Sequence, residues 1–213
     1  MISDQYKFIF SHIPRCAGTS INSFFLNKDK TKLIRMYDKP GEHKTFSQFK
    51  EKFPVYYKSY FKFCFVRNPF DRCVSLYFLR KRVANEMTKA NIKLPAHWPN
   101  IDEINKYSFS DMVKKSKETE DKNIQYLEAG CRDDWWLSDD VVDEVNFIGK
   151  IENMKSDFKE VCNRLRINIK ELPDENKSEF EHYTKYYDSD YTREIVAEKY
   201  AKDIEYFGYE FGA

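Results

Sequence analysis

The chain lacks the features that mark membrane-embedded, exported and disulfide-stapled proteins. No apolar run approaches the roughly 20 residues that a bilayer-spanning helix needs. The opening MISDQYKFIF has neither the basic segment nor the long apolar core of an export signal. The five cysteines are scattered, with no C-x-x-C pair and no histidine at zinc-finger spacing. We therefore expect no transmembrane segment, reduced thiols and a cytoplasmic location.

An excess of charge of either sign is also missing. The 36 basic and 35 acidic residues leave a formal net charge of +1. A chain without a global positive field is not expected to bind nucleic acid, so any anion site must be local. No cluster of carboxylates indicates a metal site, and we expect none.

Aromatic residues, in contrast, are abundant. They make up 17% of the chain, with 18 Phe and 15 Tyr, although 33% of the residues are charged. This apolar mass and a length of 213 residues favour a globular protein with one domain over residues 1–213. The Lys-, Asn- and Glu-rich segment 80–122, which also contains Pro95 and Pro99, is predicted to be a helical insertion.

Three segments follow a strand-then-helix pattern. Apolar runs at 6–11, 61–66 and 145–152 are typical of strands, and each precedes residues with helical spacing, such as Ile21 and Phe25 after the first. Alternating strands and helices predict an α/β fold with a mainly parallel central sheet covered on both faces. Ligands of such sheets bind at the carboxyl ends of the strands.

The loop after the first strand reads PRCAGTS. Arg15 supplies a charge, Gly18 permits a close backbone approach, and Thr19 and Ser20 add donors at a helix start, where N–H groups and the helix dipole attract anions. The Walker A spacing is absent, because no glycine stands five residues before Gly18 and no lysine follows it. The alternative is a turn whose Thr19 or Ser20 merely caps the helix.

The loop after the second strand places Arg67 where a buried strand ends. Burying a guanidinium without an anionic partner is costly, so Arg67 needs one. Asp71 and Ser75, at i and i+4 of the next helix, share a face, and Ser75 could point toward the same cleft. The alternative is that Arg67 pairs with Asp71 or a C-terminal carboxylate and that Ser75 is a satisfied helix serine.

Taken together, these elements resemble those of the Golgi-type carbohydrate sulfotransferases and their bacterial relatives. FIFSHIPRCAGTS resembles the family's HIPK-x-[AG]-G-[ST]-[ST] element, and FCFVRNPFDRCVSLYF resembles [VF]-R-[ND]-P-x-[DE]-R-x-[VI]-S-x-Y. VNFIGKIENMKSDF and the closing YAKDIEYFGYEF are similar to two further segments of the family. The resemblance extends from residue 8 to 211 and leaves 80–122 unmatched.

The resemblance implies a P-loop NTPase-like three-layer fold that uses 3′-phosphoadenosine 5′-phosphosulfate (PAPS) as co-substrate. It implies that Arg67 and Ser75 hold the 3′-phosphate. It assigns the 5′-phosphosulfate to the residues of the first loop: Arg15, Cys16, Ala17, Gly18, Thr19 and Ser20. Arg15 stands where the family usually has lysine, which keeps the charge and changes its geometry. Cys16 replaces a common hydroxyl donor.

A general base must take the proton of the acceptor. His43 is the leading candidate, because histidine titrates near neutrality and this one lies between the two loops, where the family has a K-H-x-[TS] segment. Glu42 is the runner-up, and His43 as a solvated loop residue is the alternative. His12 is expected to orient the first loop through a hydrogen bond.

Other candidates have weaker support. Glu152 follows a strand and could enter the cleft, although pairing with an arginine is the commoner role. Lys177 and Ser178 could contact nucleotide from a late loop. The tryptophans could stack on sugar rings or lie in the core. They are Trp98, Trp135 and Trp136.

The sequence therefore predicts a sulfotransferase that moves a sulfonate group from PAPS to a carbohydrate hydroxyl by in-line displacement, with Arg15 and His43 as catalytic residues. One alternative is a kinase-like phosphoryl transferase on the same fold, against which the missing Walker spacing counts. Another is a non-catalytic nucleotide-binding protein that keeps Arg67 and Ser75 but lacks a working base.

Overall fold

The computed structural model describes residues 1–28, 34–35, 43–93, 101–118, 142–168 and 180–213. These residues form two compact units. The first unit contains the described parts of Met1–Arg67 and Gly130–Lys177, and the second contains those of Asn68–Ala129 and Ser178–Ala213. The single domain expected over residues 1–213 stays a prediction.

The first unit is α/β and is built on a sheet that has five strands in the described part of the chain. They are β1 (Ile2–Ser3), β2 (Phe8–Ser11), β3 (Ile34–Arg35), β4 (Phe61–Val66) and β5 (Phe147–Lys150), in the order β3-β1-β2-β4-β5. Strands β2, β4 and β5 pair in parallel, whereas β1 runs antiparallel to both β2 and β3. Four of these five strands therefore share one direction, which confirms the predicted mainly parallel sheet.

Helices precede and follow the strands along the chain. They are α1 (Gly18–Lys28), α2 (Phe46–Lys52), α3 (Pro54–Ser59), α4 (Pro69–Lys89), α5 (Ile101–Lys106), α6 (Phe109–Glu118), α7 (Met154–Arg164), α8 (Asp190–Lys199) and α9 (Ala201–Phe207). Helices α1, α2, α3 and α7 belong to the first unit, and the remaining ones belong to the second.

An aromatic cluster joins α1 and α7 to the sheet. Phe25 of α1 lies 4.5 Å from Phe8 of β2, between ring centroids, and Phe24 lies 4.9 Å from Phe158 of α7. Phe158 also contacts Phe65 of β4. Burial of each such ring contributes about 1.5–3 kcal/mol, so this cluster holds the β2–α1 corner in place.

Strand β1 was not predicted from the sequence. Ile2 and Ser3 pair with Ile9 and Phe8 in a tight hairpin. The Oγ atom of Ser3 accepts a hydrogen bond from the Tyr6 N–H, a local turn contact that is common for serine. Two residues are too few to show the alternation by which a strand is recognised, which explains the omission.

The second unit is helical in the part of the chain that the structure describes. Asn68 caps α4 by accepting from the Phe70 N–H at 3.1 Å, and Pro69 occupies the first turn. Helix α4 continues to Lys89, well into the segment 80–122, and α5 and α6 follow it there. At the far end, Gly208 has a left-handed φ of 63° and ends α9.

The described residues contain no helix long and apolar enough to cross a membrane. Four cysteines lie in the described residues, and all four are buried free thiols, as expected. They are Cys16, Cys64, Cys73 and Cys162.

Candidate functional site: the β2–α1 loop and its neighbours

The loop between β2 and α1 has an unusual backbone. Arg15 and Ala17 both adopt left-handed conformations, with φ of 66° and 55°. Residues with a Cβ rarely do so, and such conformations persist only where the surrounding structure imposes them. Left-handed residues within a turn direct successive N–H groups into a concave nest that favours anions. The predicted anion-binding loop therefore has a backbone suited to that role.

Helix α1 starts directly after this nest. Its first helical hydrogen bond runs from the Ile21 N–H to the Ala17 carbonyl at 3.1 Å. The N–H groups of the preceding residues consequently have no acceptor within the helix, and the helix dipole adds partial positive charge at the same end. Gly18, Thr19 and Ser20 form this first turn, with Ser20 buried and Thr19 partly exposed.

Gly18 is required for a reason other than the one expected from the sequence. Its φ is not left-handed, and a Cβ at this position would clash with the ring of His12. The missing side chain therefore makes room for an imidazole. This packing brings His12 against the loop, and the hydrogen bond expected from the sequence stays a prediction.

Arg67 lies beside this loop. Strands β2 and β4 pair in parallel with Ser11 opposite Cys64, so the loops that follow them leave the sheet at the same edge. The Nη1 atom of Arg67 donates to the Arg15 carbonyl at 3.3 Å. The structure thus brings two arginines, one from each predicted loop, to one place in the first unit.

His43 is held at the same edge by its chain neighbours. The Oγ atom of Ser11 donates to the Lys44 carbonyl at 2.8 Å. Thr45 caps α2 through a reciprocal capping box with Gln48. The His43 ring consequently lies 4.4 Å from the ring of His12, between centroids, with an interplanar angle of 85°. The sequence places His43 between two motifs, and the structure brings it to the first of them.

His12 is a neutral imidazole near physiological pH. Burial is the main cause that lowers its pKa from 6.5 to about 3, because a buried charge is poorly solvated. Coulombic interactions with His43, the Met1 ammonium and Arg15 lower it further. A neutral ring can accept or donate hydrogen bonds but adds no charge to the site.

Cys16 turns away from the loop surface. Only 1% of the residue is exposed, and its Sγ lies 3.6 Å from the Pro14 carbonyl oxygen. Its N–H bonds to the Ile13 carbonyl at 3.2 Å, which closes the turn. Cys16 therefore shapes the loop. Its neighbour Cys64 is fully buried, and burial raises the pKa of this thiol.

Ser75 belongs to the second unit. It lies on α4 and is 1% exposed. Asp71, on the same face of α4, is partly exposed. The role of Ser75 at the nucleotide stays a prediction.

The third motif has a structural explanation. In VNFIGKIENMKSDF, the Oδ2 atom of Asp157 accepts from the Lys150 N–H at 2.8 Å and so closes the end of β5. Phe158 belongs to the aromatic cluster described above. Glu152 lies in the short 3₁₀ turn after β5. The remaining candidates lie outside the described residues: Glu42, Trp98, Trp135, Trp136, Lys177 and Ser178.

Sequence reasoning missed Ser11, which supports the backbone beside His43, and it missed the contact between the rings of His12 and His43. The sequence does indicate where the His12 side chain lies. Phe8, Phe10 and His12 alternate along the chain, so in an extended segment they lie on the same face. The capping box from Thr45 to Gln48 is also visible in the sequence and would have predicted where α2 begins.

No group of three or more metal-ligating side chains is found among the residues that the structure describes. The site instead has cations, an N–H-rich loop and imidazoles. That set of groups suits an anionic substrate and proton transfer.

An α/β unit whose loop at the carboxyl edge of the sheet has a backbone suited to anions is compatible with several nucleotide-dependent enzyme classes. The family model of the sulfotransferase family matches residues 1–210. The chain belongs to the sulfotransferase family and is thus a transferase of sulfonate groups to an acceptor. Comparisons with curated proteins and with solved structures gave no match.

Proposed function

We propose that the protein transfers a sulfonate group from PAPS to a hydroxyl of a carbohydrate acceptor. The observation that carries the proposal is the convergence of Arg15 and Arg67 at a loop with two left-handed residues. Family membership supports sulfonate transfer. The motifs that resemble carbohydrate sulfotransferases support the acceptor class, and they support a P-loop NTPase-like arrangement around the sheet.

The first loop is proposed to hold the 5′-phosphosulfate. The nest at Arg15–Ala17 and the first turn of α1 supply backbone N–H groups, and Thr19 and Ser20 supply hydroxyls. Arg15 adds a full positive charge next to the atoms that react. Arg67 and Ser75 are proposed to hold the 3′-phosphate, as the second motif implies.

The proposed reaction is an in-line displacement at sulfur. A bond forms between the acceptor oxygen and sulfur while the bond from sulfur to the phosphate oxygen breaks, and 3′-phosphoadenosine 5′-phosphate (PAP) leaves with the electron pair. Arg15 and the α1 N–H groups stabilise the negative charge that grows on the leaving oxygen. His43 takes the acceptor proton, for which an imidazole is well suited near neutral pH.

Titration calorimetry with PAP tests the proposal. We expect the wild-type protein to bind PAP more tightly than AMP or ATP, because only PAP carries both anionic groups in the proposed places. Arg67→Ala should weaken PAP binding about 10- to 100-fold, since hydrogen bonds to charged groups contribute about 1.5–3 kcal/mol. Arg82→Ala is the matched control. Arg82 is a partly exposed arginine on α4, with Glu86 as its ion-pair partner, and its removal should leave binding unchanged.

Other outcomes identify the alternatives. A preference for ATP would favour the kinase-like function. Selective PAP binding that Arg67→Ala leaves intact would show that Arg67 does not hold the nucleotide.

A further inference from the structure

His12 and His43 form an edge-to-face pair at the carboxyl end of β2. Their centroids are 4.4 Å apart and their planes are nearly perpendicular, at 85°. Aromatic rings favour this arrangement, because the positive edge of one ring meets the negative face of the other. The contact constrains the distance and the angle between the two rings.

The His12 ring is itself immobilised. It packs over the Cα of Gly18, where a Cβ would clash with it. It also lies nearly parallel to the Phe10 ring, at 12° and 6.1 Å. Phe10 is fully buried and stacks on Phe63 of β4 at 5.0 Å. His12 therefore connects His43 to the centre of the sheet through a chain of rings.

The backbone that follows His43 is held by hydrogen bonds. Ser11 holds Lys44, and the capping box holds Thr45. Neither contact sets the side-chain torsions of His43. Those torsions need a packing partner, and the ring of His12 is one.

The charge state of His12 suits this role. Since burial keeps its imidazole neutral near physiological pH, His12 does not oppose the positive charge that His43 acquires when it takes a proton. Arg15 and the Met1 ammonium are the other cations that face His12.

We propose that His12 is a positioning residue, whose ring holds the imidazole of His43 in the orientation that proton transfer requires. The inference rests on the proposed function, in which His43 is the base. It assigns His12 no proton transfer of its own.

Two variants of His12 distinguish a role of its aromatic ring from a role of its hydrogen-bonding atoms. His12→Phe keeps an aromatic ring that cannot titrate, and His12→Gln keeps polarity without a ring. The proposal expects Phe to preserve the orientation of His43 and Gln to release it. If His12 instead relayed the proton, both variants would lose activity, because neither side chain can take up and release a proton as an imidazole does.

Proton NMR of the imidazole rings reports the orientation directly. The chain has 4 histidines, so the ring signals can be assigned by substitution. In His12→Gln, the His43 ring protons should move toward the positions of the exposed His182, because the ring current of His12 is lost. In His12→Phe the His43 ring protons should stay shifted away from the His182 positions, because the phenyl ring also produces a ring current. If the His43 signals in a folded His12→Gln protein match those of the wild type, the inference is wrong.

Turnover of PAPS with water as the acceptor supplies the second readout. His12→Gln should lower kcat about 10- to 100-fold, the cost of a misplaced catalytic group, and leave KM for PAPS unchanged. His12→Phe should recover most of the loss, and His43→Ala sets the lower limit. Equal losses in the Gln and Phe variants would contradict a positioning role.

The binding experiment with PAP distinguishes the two possible failures. If the wild-type protein binds PAP selectively but His43 does not respond to His12→Gln, only the present inference is overturned. If the wild-type protein does not bind PAP, the proposed function is overturned. The proposal that His12 positions His43 for proton transfer is then overturned with it.

Discussion

Gly18 shows how one residue acts through the space that it leaves empty. Its position in the first turn of α1 would normally favour alanine, which has a helix propensity about 1 kcal/mol better than glycine. The ring of His12 occupies the volume that a Cβ would need. At this position steric exclusion therefore outweighs propensity.

Gly18→Ala should destabilise the protein by about 1–3 kcal/mol, the usual cost of an overpacked site. Urea denaturation of a double-mutant cycle with His12→Ala measures the coupling. In the His12→Ala background, Gly18→Ala should no longer lower the free energy of unfolding. It should raise it slightly, because alanine has the better helix propensity. A cost that is equal in both backgrounds would show that the His12 ring is not the obstacle.

At this scale the sequence pointed to residues that the structure places around the β2–α1 loop, and it supplied only part of the reasons. Arg15, Gly18 and His43 were selected by motif and by residue type. The left-handed φ of Arg15 and the contact of His43 with His12 depend on the folded chain. The residues around either histidine do not predict this contact, because 30 residues of chain separate His12 from His43.

At the scale of elements, the start of α4 combines two functions in Asn68. Its Oδ1 accepts from the Phe70 N–H, and its Nδ2 donates to the Glu210 carbonyl at 2.9 Å. The same side chain therefore caps the helix and ties the C-terminal segment to it. This explains why asparagine and proline suit the positions after Arg67.

Asn68→Ala should lower the free energy of unfolding by about 1–3 kcal/mol, because both a cap and a partly buried hydrogen bond are lost. Asn85→Ala, at an exposed site of the same helix, should change it by less than about 0.5 kcal/mol. Urea denaturation of both variants provides the comparison. Equal effects would show that the cap contributes little.

The three strand-then-helix segments were predicted because their patterns are local. The predicted runs at 6–11, 61–66 and 145–152 contain β2, β4 and β5. Strands β1 and β3 have two residues each, and they are strands only through their pairing with partners elsewhere in the chain. Helix α4 continues past Phe78 to Lys89, because the segment that follows Phe78 contains good helix formers.

For the whole molecule, the low pKa of the partly buried His12 makes stability depend on pH. Its pKa is lowered from 6.5 to about 3 in the folded state, whereas the unfolded chain takes up the proton at its ordinary pKa. The unfolded state therefore binds more protons between these two values, and stability falls as the pH decreases. The contribution is fully present above 6.5 and is lost progressively toward 3.

Urea denaturation at about pH 7 and about pH 5 should show a loss of up to about 1.4 kcal/mol per pH unit from this group. His12→Gln should reduce the slope by that amount. His182→Gln, at an exposed histidine, should leave the slope as it is in the wild type. An unchanged slope in His12→Gln would mean that His12 titrates normally in the folded protein.

The sequence by itself determined the α/β class, the direction of most strands, the two loops and the sulfotransferase resemblance, because each depends on residues that are close together in the chain. Only the tertiary structure decided which side chains meet. Parallel pairing of β2 with β4 brought Arg67 to Arg15, and the bond from Ser11 to Lys44 brought His43 to His12. Such contacts join distant parts of the chain, and they arise from sheet register and core packing, which no local pattern encodes.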